Sequence, residues 1–244
     1  GAAGGGHDSS RRFSAERKAD VLRRSLEANP SSERLRLAYL AACEVHLPHD
    51  ELLQEWARSL AALPGSISLW CAHLDLRRRT FASYTVHSQR EVAARAVAAI
   101  SAELDMLNAR RLRPGYDHAA LVAMAAQASV LERAALLLVL HAAYDERAAG
   151  FEERGVGLLQ ALLEFNCFAP AALAAAPTAA CIAEFERFWE AELPRIGEAG
   201  AQGWAAFPTF VATVTTPVTT PVTTSVTTPI TIPITTSVTT SVTT

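Results

Sequence analysis

Two stretches near the start of the chain repeat each other at a spacing of 34 residues. Five residues of the first stretch recur in the second: Pro30, Ser32, Leu35, Ala38 and Leu40 return as Pro64, Ser66, Leu69, Ala72 and Leu74. A period of this length holds two short antiparallel helices and their turns. Neither helix pair can bury its apolar face alone, so we expect the units to stack. The repeat therefore predicts an all-α array of antiparallel helix pairs, an architecture that serves as a binding surface.

Local signals set the helix boundaries of these two units. In chain order they are a start at Ser14, a stop at Asn29-Pro30, a cap at Ser31 or Ser32, a stop before Pro48, a cap at Asp50 and a cap at Ser66. A short side-chain oxygen at such a cap accepts a hydrogen bond from a free N–H of the first turn. After Arg79 the register of the repeat is lost. Residues 81–87 are predicted to be a connector whose aromatic side chains pack back on the preceding helix.

Five further helices are predicted beyond the connector. They cover residues 88–109, 117–129, 130–148, 151–165 and 179–193, with breaks at Pro114-Gly115, Gly150 and Pro170. The inward residues are expected to be Val92, Ala96, Ile100, Leu104 and Leu107 in the first of them, Leu158, Leu159, Leu162 and Leu163 in the fourth, and Ile182, Phe185, Phe188 and Trp189 in the last. The stretch 133–170 is interpreted as a degenerate third copy of the repeat.

The pattern divides the chain into three parts. Residues 1–13 are predicted to be a disordered leader, residues 14–204 a helical-repeat domain that is part of a longer solenoid, and residues 205–244 a disordered low-complexity tail. In the tail a Val or Ile recurs every fourth residue from Val214, and its prolines exclude a helix. The tail has two interpretations: an O-glycosylated stalk, or translation of a short tandem DNA repeat. The chain begins with Gly1 rather than Met, which favours a fragment.

Composition excludes several classes of protein. The net charge of −3 gives no electrostatic case for nucleic acid as a direct partner, so direct RNA binding is doubtful. The four cysteines form no Cys-x-x-Cys pair, which is typical of free thiols in a reducing compartment. No apolar run is judged long enough to cross a membrane.

Candidate chemical motifs do not form a recognisable site. Cys43, His46 and His49 lie close together, but we interpret them as a buried thiol beside two solvent-facing histidines rather than as metal ligands. The glycines at 4–6 and 155–157 lack the Gly-Lys-Ser/Thr ending of a phosphate loop. Acidic residues are expected at solvent positions. We therefore predict no catalytic, cofactor-binding or metal-binding residue, no cofactor and no enzymatic activity, and we assign no partner-binding residue.

Two features leave alternatives open. The arginine clusters at 77–79 and 110–113 are expected at helix ends, where cations offset the helix dipole, but either could contact phosphates or an acidic partner. The tryptophans Trp56, Trp70 and Trp189 fall on apolar stripes, which favours core positions over stacking platforms for bases. His73 takes the place that Tyr39 has in the first unit, which favours a core or half-buried position.

Several segments together resemble a known family. They are Glu16-Arg17-Lys18 through Asn29-Pro30, Leu63-Pro64-Gly65 with Leu69-Trp70, Phe81 to Val86, Ala161 to Asn166, Phe185 to Trp189, and Pro194-Arg195-Ile196-Gly197-Glu198 with Gly203-Trp204. The units with Trp70 and the turn prolines resemble half-a-TPR repeats, and the segments as a set resemble the nuclear-RNAi-defective-two family. The resemblance covers about residues 14–204 and is not expected to extend into the Val-Thr-Thr tail.

The resemblance implies a nuclear, non-catalytic scaffold in RNA silencing and in the control of nuclear RNA decay and processing. Its implied partners are the RNA helicase associated with the nuclear exosome and RNA-processing factors. In the family the helicase-binding segment lies before the repeats, in a region that this chain is expected to lack. The alternative hypothesis is a generic tetratricopeptide-like adaptor, a TPR-like α-solenoid that binds protein partners outside RNA biology.

Overall fold

The computed structural model describes residues 5–81 and 84–208. These residues form eight α-helices and no β-strand, which confirms the all-α fold class with neighbouring helices packed as in a helical repeat. The helices are α1 Gly5–Ala28, α2 Glu33–His46, α3 His49–Ala62, α4 Ile67–Arg79, α5 Val86–Arg111, α6 His118–Ala148, α7 Glu152–Cys167 and α8 Thr178–Glu190. Short 3-10 helices occupy Ala171–Leu173 and Trp204–Ala206.

The two repeat units share a detailed construction at their proline turns. The Ser32 hydroxyl accepts a hydrogen bond from the backbone N–H of Leu35 at 3.4 Å, and Ser66 accepts one from Leu69 at 3.2 Å. The prediction of caps at Ser32 and Ser66 is thereby confirmed. Each turn carbonyl is bound by a side chain six residues later: Arg36 Nη2 donates to Pro30 O at 2.8 Å, and Trp70 Nε1 donates to Pro64 O at 2.9 Å.

Large apolar side chains form the cores of these two units. Leu40, Leu74, Trp56, Leu60 and Leu69 are buried. Successive helices α1 to α5 pack against their neighbours in chain order. His73 is buried and its ring lies 5.1 Å from the ring of Trp56, as expected for a core residue.

Two boundaries differ from the predictions in this part of the chain. Helix α1 begins at Gly5 instead of Ser14, since no proline interrupts the leader. Helix α3 begins at His49 with Pro48 at the N-cap position, so Asp50 lies in the first turn and is not the cap. Pro48 has its φ fixed at a value suitable for a helix start, and its carbonyl accepts from Leu52 N at 3.0 Å.

The connector also departs from expectation. Phe81 is 92% exposed, so it does not pack back on α4. Helix α5 starts at Val86 with Thr85 as its cap, and all five of its predicted inward residues are buried.

Helix α6 replaces two predicted helices with one. No proline or glycine lies between Asp117 and Ala148, so nothing ends a helix near residue 129. The merged helix has 31 residues and is long and apolar enough to cross a membrane by length and composition, contrary to the prediction that no apolar run suffices. About a third of its most apolar window is buried, and core helices pass the same test, so this is weak evidence for a membrane.

The chain divides into two compact units, residues 1–134 and residues 135–244, and the division falls within α6. The predicted single domain over 14–204 stays a prediction. The second unit contains the end of α6 together with α7 and α8. Within it, Phe207 still packs on Phe188 at 5.6 Å, so chain beyond position 204 belongs to this core. The rest of the predicted tail, from position 209, lies outside the described residues, as do positions 1–4 of the predicted leader.

Helix α7 buries a face different from the predicted one. Gly155, Gly157, Gln160 and Glu164 are buried, whereas Leu159 and Leu163 are exposed and Leu158 and Leu162 are half-buried. The two glycines permit close contact: a Cβ at Gly155 would lie 2.7 Å from the carbonyl oxygen of Ala143 on α6. The position of this helix is therefore decided by small and polar residues rather than by its leucines.

Candidate functional site

The segment after α8 folds back over the polar face of α7. We call residues 194–204 the strap. Two tight backbone hydrogen bonds shape it, from Glu198 N to Arg195 O at 2.9 Å and from Ala201 N to Glu198 O at 3.3 Å. Gly197, Gly200 and Gly203 have φ values of 91°, 83° and 76°, which only glycine adopts without strain. The glycine spacing therefore fixes the path of the strap.

One buried carboxylate on α7 holds both ends of the strap. Glu164 is 0% exposed, its Oε1 accepts from Ile196 N at 2.9 Å, and its Oε2 accepts from Trp204 N at 2.9 Å. Hydrogen bonds to a carboxylate are shorter and stronger than those between neutral groups. The expectation that acidic residues occupy solvent positions is wrong for Glu164, and also for Glu146, which is buried beside Arg154 with 3.3 Å between Oε1 and Nε.

Gln160 lies one turn before Glu164 and binds the middle of the strap. Its Nε2 donates to Ile196 O at 3.0 Å and to Glu198 Oε1 at 3.1 Å. The other carboxylate oxygen of Glu198 accepts from Arg195 N at 3.0 Å. The pKa of Glu198 is lowered by that backbone hydrogen bond first, then by the Gln160 amide and the Arg195 charge.

An aromatic cluster anchors the end of the strap. Trp204 is fully buried, with its ring stacked 5.4 Å from Phe165 and edge-on 4.9 Å from Phe185. Phe185 and Phe188 are buried as predicted, while Trp189 is half-buried beneath the Arg195 guanidinium at 3.7 Å from the ring centroid. Trp204 thus joins a core built by α7 and α8.

The hydrogen-bonding groups of this site are engaged within the protein. Gln160, Glu164 and Glu198 use their side chains on the strap, and among the buried side-chain nitrogen and oxygen atoms described in this cluster only Trp204 Nε1 has no hydrogen-bond partner. Such an arrangement holds a surface segment in one shape. It supports recognition by shape more readily than chemistry on a substrate.

The residues weighed for metal binding do not converge. Cys43 is buried in α2, His46 ends that helix with Nδ1 2.9 Å from Ala42 O, and His49 begins α3. The two histidines are half-buried instead of solvent-facing. Among the side chains that the structure describes, no three His, Cys, Asp or Glu residues are grouped as metal ligands.

The other motifs lie in regular structure. The glycines at 155 and 157 are inside α7, where their role is helix packing. Arg77, Arg78 and Arg79 occupy the last turn of α4, and Arg110 and Arg111 that of α5, as expected. Arg79 reaches Glu44 at 3.6 Å and Arg110 Nε donates to the Tyr116 hydroxyl at 2.9 Å.

Sequence reasoning missed Gln160 and Glu164. The available signal was the pair of glycines in a helix, since Gly157, Gln160 and Glu164 follow at three- and four-residue steps on one face. Glycines inside a helix indicate close backbone approach, and polar residues on the same face then require buried partners.

Comparison with known proteins gives a consistent result. The model of the family described as "NRDE-2, necessary for RNA interference" matches residues 5–228, so the match continues into the Val-Thr-Thr tail that the sequence resemblance was expected to exclude. Proteins named "Nuclear exosome regulator NRDE2" are similar as well. The one from Mus musculus is 30% identical over 82% of this chain, and the one from Homo sapiens is 29% identical over 79%.

A third relative with the same name, from Dictyostelium discoideum, is 27% identical over 78% of the chain. The chain spans 14–16% of the length of these three relatives. No solved structure matches it. The family match covers all eight helices of the described residues and the whole strap, and on this evidence the chain belongs to the NRDE-2 family.

Proposed function

We propose that this chain is a non-enzymatic, nuclear helical-repeat scaffold of the half-a-TPR type that acts in RNA silencing and regulates nuclear RNA decay and processing through protein partners. The observation that carries the proposal is the family match over residues 5–228. The printed name of the relatives, nuclear exosome regulator, supports the link to RNA decay and a nuclear location. The helix-pair units and the fixed strap support a role in binding rather than in catalysis.

The proposed partners are the RNA helicase associated with the nuclear exosome and RNA-processing factors. Immobilised 244-residue chain is incubated with nuclear extract, and the exosome subunits, the helicase and splicing factors are detected with antibodies. We expect at least one of these classes to be retained after nuclease treatment. Retention of cytoplasmic proteins alone would contradict the proposal.

Two companion measurements separate the alternatives. A fluorescent fusion of the chain should accumulate in the nucleus, whereas a cytoplasmic signal with tight binding of short peptide termini would favour the generic tetratricopeptide-like adaptor. RNA binding is expected to be weak, and a salt titration checks this. Affinity carried by phosphate contacts falls by orders of magnitude between about 50 and 200 mM salt.

A further inference from the structure

The α6–α7 pair in the second unit exposes two apolar stripes. The stripe on α6 consists of Leu137, Leu140 and Tyr144, and the stripe on α7 consists of Val156, Leu159 and Leu163. Both stripes have i, i+3, i+7 spacing. Their exposed fractions run from 36% for Leu159 to 58% for Tyr144. Contiguous exposed apolar side chains of this size are uncommon on a protein surface without a binding role.

A groove runs between the two stripes. Ala143 and Gly155 form its floor, Leu140 and Tyr144 one wall, and Val156 and Leu159 the other, and its volume is about 340 Å³. The floor is low because Gly155 brings the helix backbones together, with its missing Cβ only 2.7 Å from Ala143 O. Small residues beneath large apolar walls leave room for an inserted side chain.

Charges close the groove at the turn between the helices. Arg147 Nε lies 4.0 Å from Glu152 Oε1, and Glu153 is also exposed, while Arg154 is directed to the buried Glu146. This turn therefore carries two exposed carboxylates, Glu152 and Glu153, against the one guanidinium of Arg147, which leaves an excess negative charge there. A cationic group on a bound partner would complement it.

We propose that the groove between α6 and α7, walled by Leu140, Tyr144, Val156 and Leu159, binds an amphipathic helix of a protein partner. The helix presents three apolar residues at i, i+3 or i+4 and i+7, and a Lys or Arg about one turn beyond them faces Glu152 and Glu153. Helices of this pattern bind apolar grooves through their buried side chains. The proposal names a partner surface for the proposed scaffold and rests on that function.

The test uses the purified 244-residue chain and two synthetic peptides of equal composition and about 18 residues, or five helical turns. One peptide places leucines on a single face with a terminal lysine, and the other scrambles the same residues. Fluorescence anisotropy should show the patterned peptide binding at least about tenfold more tightly than the scrambled one. Replacement of the terminal lysine by glutamate should weaken binding, and Glu152→Gln with Glu153→Gln should remove that dependence.

A matched pair of valines provides the control. Val156→Glu lies in the groove wall and should weaken binding of the patterned peptide at least about tenfold. Val21→Glu changes a valine of equal exposure, 54% in both, on α1 and should leave affinity unchanged. Tyr144→Ser is a second groove variant, and circular dichroism checks that each variant remains folded.

Several outcomes would overturn the proposal. These are equal affinity for the two peptides, wild-type affinity in both Val156→Glu and Tyr144→Ser, a dimer by sedimentation that Val156→Glu dissociates, or binding to neutral phosphatidylcholine vesicles that the same variant abolishes. If the chain fails to bind the peptide but still captures exosome factors, only the proposal for the groove is contradicted. If the chain binds the peptide but captures no exosome factor, the proposed nuclear function is contradicted instead.

Discussion

At the scale of single residues, Glu164 is the side chain that attaches both ends of the strap to α7. Its two oxygens accept backbone N–H groups from Ile196 and Trp204, each at 2.9 Å, and it is fully buried. A buried donor left without a partner costs about 1–3 kcal/mol, and more where the lost partner is charged. The strap therefore depends on a carboxylate at this position and not merely on a polar residue.

We expect Glu164→Gln to lower the free energy of unfolding by about 2–3 kcal/mol. The amide oxygen of the glutamine can accept a hydrogen bond from one of the two N–H groups. Its NH₂ group is a donor, so the other backbone N–H would be left without an acceptor. Urea denaturation followed by tryptophan fluorescence measures the change. Glu190→Gln, an exposed residue at the end of α8, serves as the control and should change stability by less than about 0.5 kcal/mol. Equal effects of the two substitutions would contradict the assigned role.

His73 makes stability depend on pH in the first unit. Burial, followed by the charges of Arg77 and Arg95, lowers the pKa of His73 from 6.5 to about 4. Between these values the unfolded chain binds a proton that the folded protein does not. Stability contributed by the neutral ring is therefore present above pH 6.5 and is lost as the pH falls toward 4, by up to about 1.4 kcal/mol per pH unit.

The variant His73→Phe should remove this part of the pH dependence, because phenylalanine preserves the ring contact with Trp56 and does not titrate. Denaturation midpoints measured in steps from about pH 4 to pH 7 test the prediction. His87→Gln is the control, since His87 has a side chain 83% exposed. If the pH dependence followed His87 instead, the buried His73 would not be its source.

At the scale of helices, the two glycines of α7 should respond oppositely to the same substitution. A Cβ at Gly155 would lie 2.7 Å from the Ala143 carbonyl oxygen, a backbone atom, whereas one at Gly157 would lie 3.9 Å from the Trp189 ring. We expect Gly155→Ala to destabilise the protein by more than about 1 kcal/mol because α6 and α7 must separate. Gly157→Ala should stabilise it by up to about 1 kcal/mol through helix propensity. Thermal unfolding of the two variants, side by side, gives the comparison, and stabilisation by Gly155→Ala would refute the close helix contact.

Helices whose signals are local could be predicted from the sequence. Ser32 and Ser66 cap their helices as expected because each acts on an N–H three residues away. The single helix α6 and the early start of α1 were not predicted, because no residue that ends a helix lies at the positions where the predicted boundaries were placed. The prediction of Asp50 as a cap was wrong because Pro48 takes the N-cap position and α3 begins at His49.

The face of α7 could not be predicted from its own residues. Leucines at 158, 159, 162 and 163 fall on one side of the helix, so hydrophobicity selects that side, whereas the buried Gly157, Gln160 and Glu164 lie on the other. The choice is made by Ala143, Ile196 and Trp204, whose contacts come from other elements. The contacts of Glu164 with Ile196 and Trp204 join residues 32 and 40 positions apart, a separation that no periodicity within one helix reports.

At the scale of the whole molecule, the four cysteines should differ in reactivity. Cys167 is exposed, whereas Cys43, Cys71 and Cys181 are buried or half-buried, and burial raises the pKa of each of these three thiols. The thiolate is the reactive form. A thiol reagent at about pH 8 should label Cys167 in a fast phase and the other three slowly or only on unfolding.

The variant Cys167→Ser is the control for this measurement. It should lose the fast phase and retain three thiols after denaturation, of the four in the sequence. A fast phase that survives in this variant would show that one of the shielded cysteines is more accessible than its burial indicates.

The fold class and the family followed from the sequence, whereas the candidate sites did not. The 34-residue period and the motif at 194–204 can be recognised in the sequence. That the strap packs on Gln160 and Glu164 of α7 can be seen only in the structure. The α6–α7 groove was hidden for a related reason. Its walls are large apolar side chains, of the kind that amphipathic patterning assigns to the core, and the structure leaves them exposed.

The turn geometry of the two repeats has a consequence for recognising further copies. Arg36 and Trp70 are unlike in size, charge and polarity, yet each donates a hydrogen bond to the proline carbonyl six residues earlier. What the position preserves is a long side chain with an N–H donor, and not an amino-acid type. Degenerate repeats of this kind should therefore be sought by function at each position: a proline, a hydroxyl two residues later and an N–H donor six residues later. Such a search can find repeat copies that have too few identical residues to be found by comparing amino-acid types.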